Sequence, residues 1–261
     1  MKYPTLISLS IFVASLTNAQ EKIPRAESLI SSDQIKETMI YQTSPWGEGE
    51  AMYYHAPDVI NSEKVIRAFH SPLDPTIYKM NWFDNDILDY KTLRPLFKKH
   101  PLGSIHYNYE KKGSVALTFI SRHGVVHKEI ALANHNFVMS GPSVPILVSS
   151  LPLKVGLKTK FSSISIGFPY VEEAYDPKIV NYLLHVTSTD TVRLNGKDYK
   201  TFVVEVYPET PKEKGVFYKA WATQSSPHTT IKWIYTSSKN KDKDNSERII
   251  SIRKLIRLEQ N

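Results

Sequence analysis

Apolar and polar residues alternate along most of this chain. From about Glu37 to Arg257, short alternating runs recur roughly every ten to fifteen residues, separated by turn residues. A period of two is typical of half-buried β-strands, and this spacing is typical of antiparallel sandwiches and barrels. The pattern predicts a mainly β fold.

The clearest predicted hairpin joins Tyr182–Leu194 to Lys197–Tyr207. Between the arms, Asn195-Gly196 supplies the positive φ angles that a type I′ turn requires. On the first arm we expect the apolar residues to share one face: Tyr182, Leu184, Val186, Val192 and Leu194. The same logic predicts three further hairpins, with arms 105–110 and 115–120, 115–121 and 125–132, and 230–236 and 248–258.

Helical periodicity is scarce. Ala26–Tyr41 and the segment around Val144–Leu153 are predicted to form short helices, and Pro145 and Pro152 restrict the second of them. The chain has no repeat of fixed period and no linker-like stretch. We therefore predict a single β-rich domain over residues 20–261.

The first nineteen residues have the layout of a secretory signal peptide. Lys2 precedes an apolar run, Leu6–Leu16, and small residues lead to a cleavage site after Ala19. No later run reaches the roughly 18 apolar residues of a membrane-spanning helix, and a lipid-anchoring cysteine is absent. The absence of Asn-x-Ser/Thr acceptors favours a bacterial envelope. The sequence thus predicts a periplasmic or secreted protein without a transmembrane segment.

Three groups of short motifs carry a family resemblance. They are Asp89-Tyr90-Lys91-Thr92-Leu93-Arg94-Pro95, then Phe137 with Leu151-Pro152-Leu153 and Gly156, then Val192-Arg193-Leu194-Asn195-Gly196-Lys197 before Phe217–Ala222 and Thr230–Ile234. Together, over about residues 37–258, they resemble a bacterial envelope family, domain of unknown function 3108. The resemblance implies a curved antiparallel sheet like that of the LolA and LolB lipoprotein carriers, which forms a partly open β-barrel around an apolar hollow. It includes no catalytic signature.

Residue chemistry argues against an enzyme. The absence of cysteine excludes disulfides, thiolate metal sites and cysteine nucleophiles. His123 and His127 alternate with their neighbours as in a strand, which separates them by about 13 Å, too far to share one metal ion. No serine stands in a G-x-S-x-G elbow, and no glycine loop suits a phosphate. We expect no catalytic residues, no metal site and no cofactor.

The net charge of +7 is modest, and the lysines are scattered along the chain. Basic residues cluster at predicted turns, namely Lys98-Lys99-His100, Lys111-Lys112 and Lys239–Lys243. Solvated hairpin tips account for such clusters, and contact with anionic envelope surfaces is the functional alternative. Nucleic acid is not an expected partner of an exported chain.

Aromatic residues supply the candidate binding site. Rings fall on predicted strands in stripes, which suit either a core or the wall of a hollow in a curved sheet. The ligand-lining candidates are Tyr78, Trp82, Tyr107, Tyr109, Trp221 and Trp233.

Two functions follow from these observations. The first is a non-enzymatic envelope protein that binds or carries a hydrophobic ligand, such as a lipid or a lipoprotein acyl chain. The alternative is a structural or adaptor protein that joins an envelope partner through exposed strand edges and needs no ligand. An apolar hollow with aromatic walls would favour the first, and a filled core with an exposed edge the second.

Overall fold

Strands dominate the computed structural model. It describes residues 29, 37–44, 49–72, 84–100, 103–122, 124–132, 138–140, 144–165, 177–210, 218–237 and 248–259. The strands are β1 (Glu37–Ser44), β2 (Gly49–Ile60), β3 (Glu63–Pro72), β4 (Asp84–Asp89), β5 (Pro95–His100), β6 (Gly103–Asn108), β7 (Ser114–Ser121), β8 (Gly124–Ala131), β9 (Val138–Ser140), β10 (Lys158–Ser165), β11 (Lys178–Leu194), β12 (Lys197–Pro208), β13 (Tyr218–Thr223), β14 (Thr230–Ser237) and β15 (Arg248–Glu259). One helix, α1 (Val144–Ser150), lies among the described residues.

The strands belong to one sheet. Its hydrogen-bonded order is β8-β7-β6-β5-β4-β3-β2-β1-β15-β14-β13-β12-β11-β10-β9. Neighbours run antiparallel, apart from β9, which pairs with β10 in parallel. The order has two ends, β8 and β9, so strand pairing does not close a barrel within the described part of the chain. The prediction of a mainly β, antiparallel fold with few helical residues is confirmed.

The predicted hairpins are present. In one of them, an inserted residue moves the later apolar side chains to the other face of the strand. β11 and β12 meet at Asn195 and Gly196, whose φ angles of 50° and 79° are those of the expected turn. A β-bulge between Val186 and Ser188 inserts one residue into β11. The prediction that all five apolar residues of this arm share a face is therefore wrong: Val192 and Leu194 lie on the face opposite Val186.

The predicted helix over Ala26–Tyr41 is wrong at its C-terminal end. Glu37 to Tyr41 belong to β1, which is flanked by β2 and β15. Strand pairing on both sides overrides a weak helical periodicity, because it satisfies the backbone groups of these residues. Residues 30–36 lie outside the described part of the chain. The helix predicted around Val144–Leu153 is confirmed as α1.

The main core joins β3, β4 and β11–β14 around α1. The helix and the residue that follows it contribute fully buried apolar side chains: Ile146, Leu147, Val148 and Leu151. Their neighbours in this core include Ile66, Leu88, Leu93, Leu184, Val186, Val204, Ala220, Ile231 and Trp233. The helix is therefore packed into the main core.

A second core lies where the sheet passes over itself. Its buried members are Ile105, Tyr107, Val115, Leu117, Phe119, Leu132 and Ile164. Phe161 on the same strand as Ile164 belongs to the main core, where it stacks on Tyr182 at 5.3 Å between ring centroids. Residues three apart in a strand point to opposite faces. The β6–β7 end of the sheet thus packs on the face of β10 that is turned away from Phe161, and β9 approaches β5 nearby.

Candidate functional site

The structure separates the aromatic residues that sequence reasoning grouped together. Tyr78 and Trp82 lie outside the described residues. Tyr107 is a buried member of the second core, and Tyr109 packs against it. The other two predicted residues, Trp221 and Trp233, belong to the main core. The four described side chains therefore do not form one wall.

Trp221 and Trp233 also face opposite ways. Trp233 pairs with Ala220, whereas Trp221 pairs with Lys232. Paired residues share a face and consecutive residues alternate, so the two indoles lie on opposite faces of the sheet. Trp221 Nε1 donates a hydrogen bond to Asp190 at 3.0 Å, and the Lys232 ammonium lies 4.5 Å from the ring centroid. Trp221 therefore has a hydrogen-bond acceptor at its indole nitrogen and a cation over its ring.

Tyr109 has a polar end inside an apolar setting. Its hydroxyl is buried and makes no hydrogen bond to any residue that the structure describes. Burial raises the pKa of Tyr109 far above its ordinary value, although the nearby Arg94 charge opposes the shift. The Arg94 guanidinium lies 5.5 Å from the ring centroid. The buried hydroxyl is therefore a potential hydrogen-bond donor.

A row of buried polar residues crosses β2 to β5. His55 pairs with Ala68, Ala68 pairs with Asp86, and Asp86 pairs with Lys98, so these side chains share one face. Asp86 and Lys98 form an ion pair of 3.4 Å in which each side chain is 9% exposed. Sequence reasoning missed this row, because Asp86 stands in a stretch that resembles a polar turn and Lys98 in a basic cluster.

The most exposed regular element is β8. This eight-residue strand is one end of the sheet and, within the described part of the chain, pairs with β7 alone. Val125 and Val126 are 55% and 44% exposed, and Ile120, which pairs with Val125, is 41% exposed. An edge strand presents unpaired N–H and C=O groups along its free side. β8 is therefore a template for another strand.

Side-chain contacts hold β8 on the sheet. Glu129 accepts hydrogen bonds from Lys111 at 2.6 Å and from the Ser114 hydroxyl at 2.7 Å. These two donors lower the pKa of Glu129. On the same face, the Thr118 hydroxyl and His127 Nδ1 are 3.0 Å apart. The strand is thus fixed in register by its inner edge, while no described strand pairs with its outer edge.

A metal site and a membrane-spanning helix are both absent from the described residues. They contain no group of three or more His, Cys, Asp or Glu side chains arranged to hold a metal ion. His123, one of the two histidines considered for a metal, lies outside them. Within the same residues, no helix is long and apolar enough to cross a membrane.

Comparisons with known proteins leave the family open. No family model matches this chain, and no curated protein does. The resemblance to domain of unknown function 3108 and to the lipoprotein carriers therefore stays a prediction. A crystal structure of a β-barrel-like protein of domain of unknown function DUF1849 from Brucella abortus is similar at 10% identity, covering 87% of this chain and 98% of that one. The TM-score between the two structures is 0.47.

Proposed function

We propose that this chain is a non-enzymatic, exported protein of the bacterial envelope that binds a partner by β-strand addition along β8. One observation carries the proposal: an eight-residue strand ends the sheet and exposes apolar side chains on both faces. In strand addition, main-chain hydrogen bonds supply affinity and alternate side chains supply specificity. On this proposal, the sheet is a partly open barrel. Its packed interior makes the sheet rigid, and its edge strand binds the partner.

The burial of α1 in the main core supports the adaptor role over a carrier role. Ile146 and Leu147 of α1 are at most 1% exposed and pack among residues of β3, β4 and β11–β14. Native edge strands are commonly shortened or blunted by proline or covered by another element. β8 contains no proline and runs for the full length of β7. A strand of that length at the end of the described sheet suits a binding surface.

Amide hydrogen exchange with a synthetic strand tests this function. The probe is an eight-residue peptide of alternating valine and threonine, and a version with N-methylated backbone is its control. We expect the peptide to slow exchange at alternate β8 residues, whose N–H groups point away from β7. The N-methylated peptide cannot form the ladder and should give no protection.

Matched valine variants locate the binding. Changing Val125 and Val126 to Lys should abolish the protection, because charges at an edge oppose strand pairing. Val155→Lys is the control, since Val155 is 54% exposed and lies outside β8. Both variants should keep the melting temperature of the wild type. Peptide protection that persists in the Val125→Lys, Val126→Lys variant, or appears elsewhere in the sheet, would reject the proposal.

A second candidate function is the binding of an amphipathic lipid, and the buried Asp86–Lys98 pair favours it. Burying an ion pair in an apolar interior costs desolvation free energy that an apolar pair would avoid. On this candidate function, a ligand carboxylate or phosphate would bind beside the Asp86–Lys98 pair. Lys98→Met should then abolish uptake of a fluorescent fatty acid. A wild-type protein that takes up no such probe would exclude this function.

A further inference from the structure

The backbone groups of β8 point alternately toward β7 and away from it. Leu132, which directly follows the strand, donates its N–H to the Gly113 carbonyl at 2.7 Å, on the β7 side. The register between β7 and β8 is continuous up to that point. Every second residue of a strand directs its N–H and C=O groups to the same side. The groups that point away from β7 therefore belong to Val125, His127, Glu129 and Ala131.

Two exposed side chains of this set each keep a polar atom for a neighbour. Lys111 and Ser114 both contact Oε1 of Glu129, and its Oε2 accepts no hydrogen bond from any residue that the structure describes. His127 uses Nδ1 in its contact with the Thr118 hydroxyl, so Nε2 is its second polar atom. Residues two apart in a strand share a face. An imidazole nitrogen and a carboxylate oxygen therefore lie side by side on one face of β8.

We propose that the strand which adds to β8 is β8 of a second copy of this chain, an inference that rests on the strand-addition function proposed above. In this dimer the two strands are antiparallel and the twofold axis passes through Lys128. His127 then lies opposite Glu129 of the partner subunit, and the twofold axis repeats this pair. On the other face, Val126 lies opposite Ile130 of the partner subunit. The sequence of β8 is thus complementary to itself, with an imidazole against a carboxylate and apolar against apolar.

Other registers of the same ladder match less well. Outward-pointing residues must lie opposite each other to form hydrogen bonds, so the axis must pass through a residue. An axis at His127 would place Val125 opposite a glutamate, and an axis at Glu129 would place two carboxylates opposite each other. An axis at Val126 would pair the end of the strand with the turn that precedes it. The axis at Lys128 has one like-charge pair, which two imidazole–carboxylate pairs and the apolar pairs offset.

Sedimentation equilibrium at increasing protein concentration tests the second copy. We expect a monomer–dimer equilibrium that His127→Glu weakens about tenfold, because carboxylates then face each other at two symmetric positions. His106→Glu is the matched control, since His106 is also exposed and lies on the same face, two strands from the edge. It should leave the equilibrium unchanged. A protein that stays monomeric up to its solubility limit, or equal weakening by the two variants, would overturn the inference.

Single cysteines test the register, since the chain has no cysteine of its own. Residues that face each other in a non-hydrogen-bonded pair have Cα atoms about 4.5 Å apart, which suits a disulfide. Lys128→Cys should therefore link two copies under mild oxidation. Val126→Cys should not, because the two copies of this position are four residues apart along the ladder, or about 13 Å. A link formed by Val126→Cys and not by Lys128→Cys would overturn the register.

The alternating valine and threonine peptide separates this inference from the function on which it rests. Where the dimer forms through β8, the peptide should compete with it and raise the monomer fraction. A dimer that the peptide leaves unchanged would form through another surface and would overturn the inference. A monomeric protein whose β8 the peptide protects would exclude the second copy and leave strand addition in place. A monomeric protein without peptide protection would reject both.

Discussion

Turn residues show what a sequence determines at the scale of single positions. Asn195-Gly196 was predictable, because few residue pairs adopt two positive φ angles without strain. Leu93 was not, although it also has a positive φ of 53°. Its conformation depends on Asp89, whose side chain accepts hydrogen bonds from the N–H and hydroxyl groups of Thr92 at 2.7 and 2.6 Å. Leu93 is fully buried, and its burial in the main core offsets the backbone strain of its positive φ. No local sequence pattern predicts that strain.

Gly103 at the start of β6 is predicted to be intolerant of any side chain. Its φ is 154°, and a Cβ there would lie 2.3 Å from the Ile120 carbonyl oxygen. Gly103→Ala should lower the free energy of unfolding by about 1–3 kcal/mol or more, measured by urea denaturation. Gly196→Ala is the matched control, since a Cβ at that position meets nothing within 4 Å. Equal losses in the two variants would mean that the contact with Ile120 has no energetic effect.

Glu129 is predicted to make the β8 hairpin sensitive to acid. Hydrogen bonds from Lys111 and Ser114 lower the pKa of Glu129 below its ordinary value of 4.5. A carboxyl whose pKa is lower in the folded state contributes stability above 4.5, and that contribution is lost as the pH falls through the lowered value. Carbon NMR titration should show the Glu129 pKa rising in Ser114→Ala. The pKa of Asp58, lowered by the Val59 N–H and by Arg67, should not change in that variant.

At the scale of elements, the alternation of apolar and polar residues predicted most strands. It failed where an inserted residue or a neighbouring strand decides the structure. The bulge at Val186 reverses the faces of the rest of β11, and period-two counting cannot detect one inserted residue. β1 looked helical in isolation because periodicity does not specify pairing partners, and one of its two partners, β15, is far away in sequence. α1 was predictable, since Val144–Ser150 is short, apolar and bounded by a proline-containing segment.

Helix α1 is predicted to be a structural part of the main core. Leu147 is fully buried there. Leu147→Ala should therefore lower the free energy of unfolding by about 2–5 kcal/mol, because the change removes three buried carbon atoms and leaves a cavity in the core. Val155→Ala, at an exposed position after α1, should change it by less than about 0.5 kcal/mol. If Leu147→Ala is equally mild, α1 lies over an unfilled hollow, and the carrier function gains support.

At the scale of the whole molecule, neither the ends of the sheet nor its overlap could be predicted. Residues 125–132 were predicted as a strand, and β8 confirms it. Which strand ends the sheet depends on the partners of every other strand, and periodicity does not specify partners. The same limit explains the aromatic residues: Trp221 and Trp233 both suit a strand, and only the register of β13 and β14 places them on opposite faces.

The two cores predict two separable responses to mutation. Ile164 is fully buried in the second core, against β6 and β7, whereas Val204 is fully buried in the main core. Local opening requires only the contacts of the segment that opens. Ile164→Ala should therefore speed amide exchange in β6–β8 and leave β12 and β13 protected. Val204→Ala should speed exchange throughout the sheet, because the main core joins both of its halves. Hydrogen exchange read by mass spectrometry measures both responses.

If Ile164→Ala speeds exchange in β12 as strongly as in β7, the second core and the main core unfold as one unit. β8 then does not open separately from the rest of the sheet. Strand addition at the edge would then have to stabilise the whole sheet, and an added peptide should raise the melting temperature of the protein.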